Sequence, residues 1–392
     1  MRKGLMVCVG IMSISLVLIG GSSGVAAKEN VVYIGYLGPL TGGAAYLGVD
    51  SLKGAEFAAE EINALGGITA AGKKYNLKIE SYDDEATPAK AVAGLRQLKD
   101  RFDIPVVIAN VSGSSMAITE INERLGILWC GFAVFPKITQ RGNKLVLRYR
   151  GSLKYETELF AKGADEIIKA KTYAVLCDTG DYGRAQRENL MNAMEKRGIK
   201  HLGTEWFDMR KETDFRVQIT KIKTLNPDTI SIIAYDEASG QIVKQCRELG
   251  VTVPFIMTTG FQTKGREIAG AKNIEGCINV SGLSNMEPLP EALMNYRRNF
   301  EKKYGVKAGV YGENNYELVY SIARGMEKAG DVTDAYKIKE GMKAAVPVEK
   351  EHWAYGLRGW DDNGDGITLL ILGRYKDGKL VDEEGNPLKV PD

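Results

Sequence analysis

The chain has 392 residues, 44% hydrophobic and 26% charged, ordinary proportions for a globular protein and a length that suits two domains of the usual size. Its 52 basic residues face 50 acidic ones, and two of the basic ones, Arg2 and Lys3, precede an uncharged run through Val25, so the chain beyond that run is formally neutral. A neutral balance speaks against nucleic acid or an anionic membrane surface as a partner.

Leu5–Val9 and Ile11–Ile19 form the apolar body of this opening run, and Val25-Ala26-Ala27 supplies small residues where a signal peptidase reads. The expectation is a secretory signal over residues 1–27, cleaved after Ala27, and an exported mature protein; the competing reading is a retained membrane anchor. Cys8 lies too early to be an acylated lipoprotein cysteine. The G-x-S-x-G match at Gly20–Gly24 falls inside the same segment and is no hydrolase elbow. Four cysteines follow, Cys130, Cys177, Cys246 and Cys277, with no C-x-x-C pair. Export would permit a Cys246–Cys277 bridge, but Cys130 and Cys177 sit in apolar strand patterns, which favours buried free thiols.

Val31–Ile62 reads as an apolar strand, a loop of Gly, Pro and small residues, then a helix with Leu52, Ala55, Ala59 and Ile62 on one face. Gly42, Gly43, Ala44 and Ala45 leave the main chain open to close approach. Neither phosphate-cradling glycine motif is present, so the loop suits a non-phosphate ligand or a plain surface connection. A strand at Leu77–Tyr82 is followed by Thr87-Pro88, which predicts a capped helix through Phe102. Pro105–Val111 is an apolar run of the kind found inside a parallel sheet, and Ser112-Gly113-Ser114-Ser115 opens the next helix. Strands at Ile127–Phe132 and Leu145–Tyr149 complete a first set.

After Arg150-Gly151 the alternation restarts. Helices are expected at Tyr155–Lys169, Gly183–Arg197, Phe215–Leu225 and Ala238–Leu249, with strands at Thr172–Cys177, Thr204–Phe207, Thr229–Ala234 and Phe255–Thr259. Two such sets predict two parallel sheets, each covered by helices on both faces and joined by ordered hinge strands. From Pro290 the pattern turns helical through Tyr304, then Asn314–Lys328 and Tyr336–Ala345, before strands at Tyr355–Asp361 and Ile367–Tyr375.

G-P-L-T-G, A-A-Y-L-G, K-G-A-E-F-A-A-E-E-I-N-A-L-G-G-I and I-E-S-Y-D-D-E-A-T-P-A-K-A-V occur in this order, and together they resemble the opening of the branched-chain amino acid (Leu/Ile/Val) binding proteins, the periplasmic substrate-binding components of bacterial ABC transporters. The resemblance extends at lower density to about residue 375. It implies an α/β, two-lobed type I periplasmic binding protein fold, each lobe a mostly parallel sheet flanked by helices and joined by hinge strands. It also implies three crossings between lobes, near residues 149, 283 and 366. The lobes would then comprise 28–148 with 283–365, and 149–282 with 366–392. Its implied partners are a small-molecule ligand, an amino acid or an aromatic or aliphatic carboxylate, and ABC permease membrane subunits; no cofactor, metal or nucleic acid is implied, and a monomer is expected.

In open parallel sheets ligands gather beyond the carboxyl ends of the strands. The segments leaving those ends here are Leu40–Leu47, Ser112–Ser115, Phe132–Phe135, Thr179–Tyr182, Tyr235–Glu237 and Thr259–Phe261, rich in small residues, hydroxyls and rings. They make Tyr46, Gly113, Ser114, Ser115, Ala133, Val134, Tyr182, Tyr235 and Thr259 the candidate ligand-binding residues. At Ser112–Ser115, helix amides and one or two hydroxyls would take a carboxylate, whereas ordinary capping explains only one Ser. Tyr182 and Tyr235 match positions where the family places rings over its ligand, against a plainer role in packing.

Two departures from the family pattern matter. The loop after the fourth strand reads Gly131-Phe132-Ala133-Val134-Phe135-Pro136, without the family's Thr, and Thr259 stands where some members carry a Glu that pairs with the ligand's ammonium group. A buried ammonium without a carboxylate costs several kcal/mol, so the expected ligand is richer in apolar surface and poorer in positive charge than leucine. Asp181 or Asp236 would restore the missing charge. Arg148 and Arg150, at the first crossing, either add charge to the cleft or form salt bridges near the hinge.

Asp361–Gly366 begins like a calcium loop, but Leu372 occupies its twelfth position, and a tight turn between strands is the better reading. His201 and His352 are the only histidines and lack metal-ligand company. Three functions stay side by side: a transport receptor, a ligand sensor of the same fold, and an exported hydrolase, for which no Ser or Cys has a base at hand.

Overall fold

The computed structural model describes residues 1, 30–151, 153–282, 289–346, 356–382 and 385–386. The expected signal segment, the crossing near residue 283, His352 and the start of the strand expected at Tyr355 lie outside the described residues.

The first half alternates strand and helix. β1 (Val31–Gly38), α1 (Ala45–Ala64), β2 (Ile68–Ala70), β3 (Lys73–Asp83), α2 (Pro88–Phe102), β4 (Val106–Ala109), α3 (Ser112–Ile118), β5 (Leu128–Gly131) and β6 (Val146–Arg148) follow in order. Their strands form a sheet in the order β2-β3-β1-β4-β5-β6, parallel except for the β2–β3 pair. Alternation along β1 sends Ile34 and Tyr36 to one core and Leu37 to another, so both faces are buried. Pro88 stands at the first helical position of α2 as expected, but Thr87 makes no side-chain cap; its hydroxyl turns back to the Glu85 carbonyl at 3.3 Å.

The second half comprises α4 (Leu153–Gly163), β7 (Thr172–Asp178), α5 (Asp181–Lys196), β8 (Lys200–Phe207), α6 (Arg216–Thr224), β9 (Thr229–Ile233), α7 (Asp236–Glu248), β10 (Phe255–Met257), α8 (Thr263–Ala269), α9 (Ala271–Ile274) and β11 (Ile278–Ser281). α10 (Glu291–Tyr304), α11 (Val310–Ala329) and α12 (Ala335–Ala344) follow, then β12 (Leu357–Trp360), β13 (Gly366–Thr368), β14 (Ile371–Lys376) and β15 (Lys379–Val381). The second sheet runs β15-β14-β11-β10-β9-β7-β8, with β14 and β15 antiparallel to their neighbours. Helices again cover both faces, α6 and α7 on one and α4 and α5 on the other.

The strand expected over Ile367–Tyr375 is therefore two. β13 pairs with β12, whose Leu357 and Trp360 pack on the core of the first sheet, while β14 joins the second sheet. Residues 361–365 make the expected tight turn, in which Asp361 Oδ1 accepts from the amides of Asn363 and Asp365, each at 2.9 Å. The four cysteines among the described residues are buried free thiols.

α10 to α12 return to the first sheet, where Phe300, Leu318, Val319, Ile322 and Met342 join the core that Ile34 and Tyr36 enter. α11 packs against α1 with almost no spacing, because a Cβ on Gly54 would lie 2.0 Å from the Gly312 carbonyl oxygen. One turn earlier, Asp50 accepts from the amides of Gly309 and Gly312, at 3.1 and 2.8 Å, and so closes the first turn of α11 from outside the helix. Gly54→Ala should therefore push the two helices apart and cost about 1–3 kcal/mol, read as a lower denaturation midpoint; an unchanged midpoint would refute the close approach.

Burial raises the Asp50 carboxyl to about 6, although the two amides oppose the shift. A carboxyl raised on folding contributes stability that is complete below its unfolded value and lost as pH climbs through its folded one. Asp50→Asn removes that titration. The stability difference between wild type and Asp50→Asn should swing toward the variant from about pH 4 to about pH 7, where thermal melts at each pH would show it; a constant difference would contradict it.

Candidate functional site

Carboxyl ends of strands from both sheets face one another, and the enclosed space between them measures about 770 Å3, counting solvent at its mouth. From the first sheet and its helices come Leu47, Asn110, Ser112, Phe132, Val134, Val310, Tyr311 and Asn314. From the second come Arg150, Tyr182, Tyr235, Thr259, Gly260, Gln262, Ser281 and Gly282. A second space of about 720 Å3, again counting solvent, adjoins it and shares Ser112, Tyr182 and Tyr235 as walls.

Four of the expected site residues, Val134, Tyr182, Tyr235 and Thr259, line the first cavity. Tyr182 and Tyr235 stack at 5.1 Å between ring centroids, and the Tyr182 hydroxyl donates to Thr258 Oγ1 at 3.0 Å. This bond fixes the ring as a wall. Burial holds both phenols well above their ordinary range. Gly113 borders the adjoining space and touches the opposite half, since a Cβ there would lie 3.0 Å from Asp181 Oδ2. Tyr46 belongs to a third recess beside Met209 and Arg210, with its ring 6.4 Å from that of Tyr311.

Ser114, Ser115 and Ala133 do not line the cavity. Ser115 donates to the Ala109 carbonyl at 3.2 Å, and the Ser114 hydroxyl faces the buried Asp84 carboxylate. Both turn inward because α3 lays this face on the core beside Ile118. Ala133 is buried with Leu37 and Trp129, and its neighbour Val134 points the other way. Of the Ser run only Ser112 reaches the cavity, and α3 is just seven residues long. Of the one or two Ser hydroxyls expected to take a carboxylate with the helix amides, the cavity is left with that of Ser112.

The two arginines at the first crossing have different roles. Arg148 is fully buried and pairs with Asp365, Nε to Oδ1 at 3.0 Å, which is the hinge salt bridge. Its Nη1 and Nη2 also donate to the carbonyls of Val134 and Phe135, at 2.6 and 2.9 Å. Arg150 instead lines the cavity. It pairs with the buried Glu156 and donates through Nη2 to Thr259 Oγ1 at 3.1 Å, while Thr259 donates to Glu156 Oε2 at 3.0 Å. Thr259 therefore positions an arginine here.

Neither aspartate expected to supply negative charge lies on the cavity. Asp236 is 5% exposed and accepts from the amides of Gln262 and Gly265, both at 2.7 Å, at the start of α8. Asp181 borders the adjoining space. The lining contains no acidic residue, and Arg150 is its one charged side chain among the described residues. Among the described residues there is also no cluster of three metal-binding side chains and no helix long and apolar enough to cross a membrane.

Asn110, Gln262, Ser281 and the Val310–Asn314 turn escaped the strand-end argument. Asn110 and Ser281 lie at the ends of β4 and β11, where the rule could have found them; Tyr311 and Asn314 enter from a helix that no strand-end rule reaches.

Two doubly covered sheets enclosing a ligand-sized cavity, with the chain crossing between them on paired strands, define a two-lobed solute-binding protein. The chain belongs to the periplasmic binding protein family, whose model matches residues 31–379. It is similar to an amino acid binding protein of Pseudomonas aeruginosa, 29% identical over 277 residues that cover 70% of this chain and 72% of the relative. A leucine-, isoleucine-, valine-, threonine- and alanine-binding protein of the same organism is 28% identical over 88% of this chain and 90% of its own length. Among solved structures, a leucine-binding protein from Thermotoga maritima shares the fold with a TM-score of 0.76 at 23% identity, covering 89% of this chain and 97% of that one. An ABC transporter solute-binding protein from R. palustris in complex with benzoate has a TM-score of 0.77 at 18% identity, covering 92% of this chain and 98% of that one.

Tyr182→Ala removes one ring of the stacked wall and should weaken ligand binding tenfold or more, roughly 1.4 kcal/mol or above. Titration calorimetry on the folded variant checks this, and unchanged affinity would take Tyr182 out of the site.

Proposed function

We propose that this protein is an extracytoplasmic receptor that captures a small organic acid between its lobes and delivers it to an ABC importer. The lobes of this reading are residues 28–148 with 283–365 and residues 149–282 with 366–392, behind a cleaved signal of residues 1–27. The receptor works as a monomer, by binding and closure and not by catalysis. A ligand stabilises the closed form only by its differential affinity for that form.

The observation that carries the ligand class is the lining. It combines rings and aliphatic side chains with one arginine and no carboxylate. An ammonium group would find no carboxylate in the lining, since the one carboxylate behind it, Glu156, already pairs with Arg150, and its burial would cost several kcal/mol. A carboxylate attached to an aromatic or aliphatic body meets complementary chemistry at both ends. The benzoate complex of the R. palustris neighbour agrees with this class.

The names of the sequence relatives favour a second reading, an amino acid ligand. In that case Asp181, in the adjoining space, would take the ammonium group. Titration calorimetry with leucine, isoleucine and acids that lack the amine, such as 4-methylpentanoate and benzoate, separates the two. Acids without the amine should bind at least tenfold more tightly than leucine. Heat from leucine or isoleucine with none from those acids would establish the amino acid reading, and silence across a broad metabolite panel would end the receptor reading itself.

A further inference from the structure

Within the receptor reading, we infer that the ligand has two polar ends, a carboxylate held by Arg150 at the hinge and a hydroxyl held across the cavity by Asn314 and Tyr311. Arg150 is fastened to the second lobe through Glu156 and Thr259. A planar guanidinium presents several N–H groups in a fixed fork, so it can hold Glu156 and Thr259 and still meet a ligand carboxylate on its cavity side. The alternative anion site, at the short helix α3, has two of its three Ser hydroxyls turned into the core.

The opposite end belongs to α11. Asn314 is 6% exposed, and its side-chain oxygen has no hydrogen-bond partner among the described residues. The buried Tyr311 hydroxyl is in the same condition. Both residues line the cavity. A buried acceptor left unpaired is costly, and a ligand O–H donated to Asn314 removes that cost. The Tyr311 hydroxyl both donates and accepts, so it can take the same ligand oxygen. Between these ends the walls are Phe132, Val134, Tyr182 and Tyr235, which suit an apolar body. The ligand class is a hydroxylated monocarboxylate, with the hydroxyl remote from the acid.

The test uses two ligand series: 4-hydroxybenzoate, benzoate and 4-hydroxybenzamide, and 5-hydroxypentanoate, pentanoate and 5-hydroxypentanamide. By calorimetry the wild-type protein should favour, in at least one series, the hydroxy acid over the parent acid about fivefold or more and over the amide about tenfold or more. Arg150→Met should abolish the preference for acid over amide and keep the preference for the hydroxyl. Asn314→Leu should do the reverse. Because Arg150→Met leaves Glu156 buried without its cation, the double variant Arg150→Met/Glu156→Gln serves if the single variant does not fold.

An acid-over-amide preference that survives Arg150→Met, a hydroxyl preference that survives Asn314→Leu, or wild-type protein that binds parent and hydroxy acid equally, overturns this inference and leaves the receptor reading standing. Absence of binding in both series also overturns it, while the broad panel decides separately whether the protein is a receptor for other solutes.

Discussion

The buried Arg148–Asp365 pair is the constraint on which the arrangement of this molecule depends. It joins two crossing segments, one leaving β6 and one leaving the turn after β12, which also pair in parallel through their backbones. The Arg148 amide donates to the Gly364 carbonyl at 2.8 Å and the Gly366 amide to that of Arg150 at 3.0 Å. Burial lowers the guanidinium to about 10 and raises the carboxyl, so desolvation outweighs the attraction between the two. Such a pair adds little net stability, but losing one partner strands a buried charge. Its value is positional: it fixes where the hinge strands lie relative to each other.

From that pair the cavity can be followed outward. Arg148 holds the carbonyls of Val134 and Phe135, in the loop after β5 where Val134 lines the cavity and Ala133 faces the core. Two residues along the chain, just beyond the end of β6, Arg150 lines the cavity. Both arginines are enclosed, one by the hinge and one by the cleft. The hinge pair and the one charged side chain of the cavity lining, among the described residues, are therefore neighbours in the chain.

The alternation of apolar runs and amphipathic helices made most of the architecture legible in the sequence. Strand ends pointed to Val134, Tyr182, Tyr235 and Thr259, because in a parallel sheet every strand delivers its following loop to the same edge. The same rule overreached at Ser114, Ser115 and Ala133. A strand-end segment reaches the correct rim, but the rotation of the next helix decides which of its side chains face in. The rule was silent about Tyr311 and Asn314, which reach the cavity from a helix near the end of the chain, packed on α1 through Gly54 and Gly312.

By itself the sequence determined the class: period-2 and period-3.6 patterns set the elements, and their alternation set two parallel sheets covered on both faces. The order of its opening motifs pointed to the family. Only the tertiary structure decided which charge lines the cavity. Arg148 and Arg150 are two residues apart and chemically identical, and nothing local separates them. The difference arises because Asp365, more than two hundred residues later, claims the first in the hinge, while Glu156 and Thr259 hold the second at the edge of the cleft.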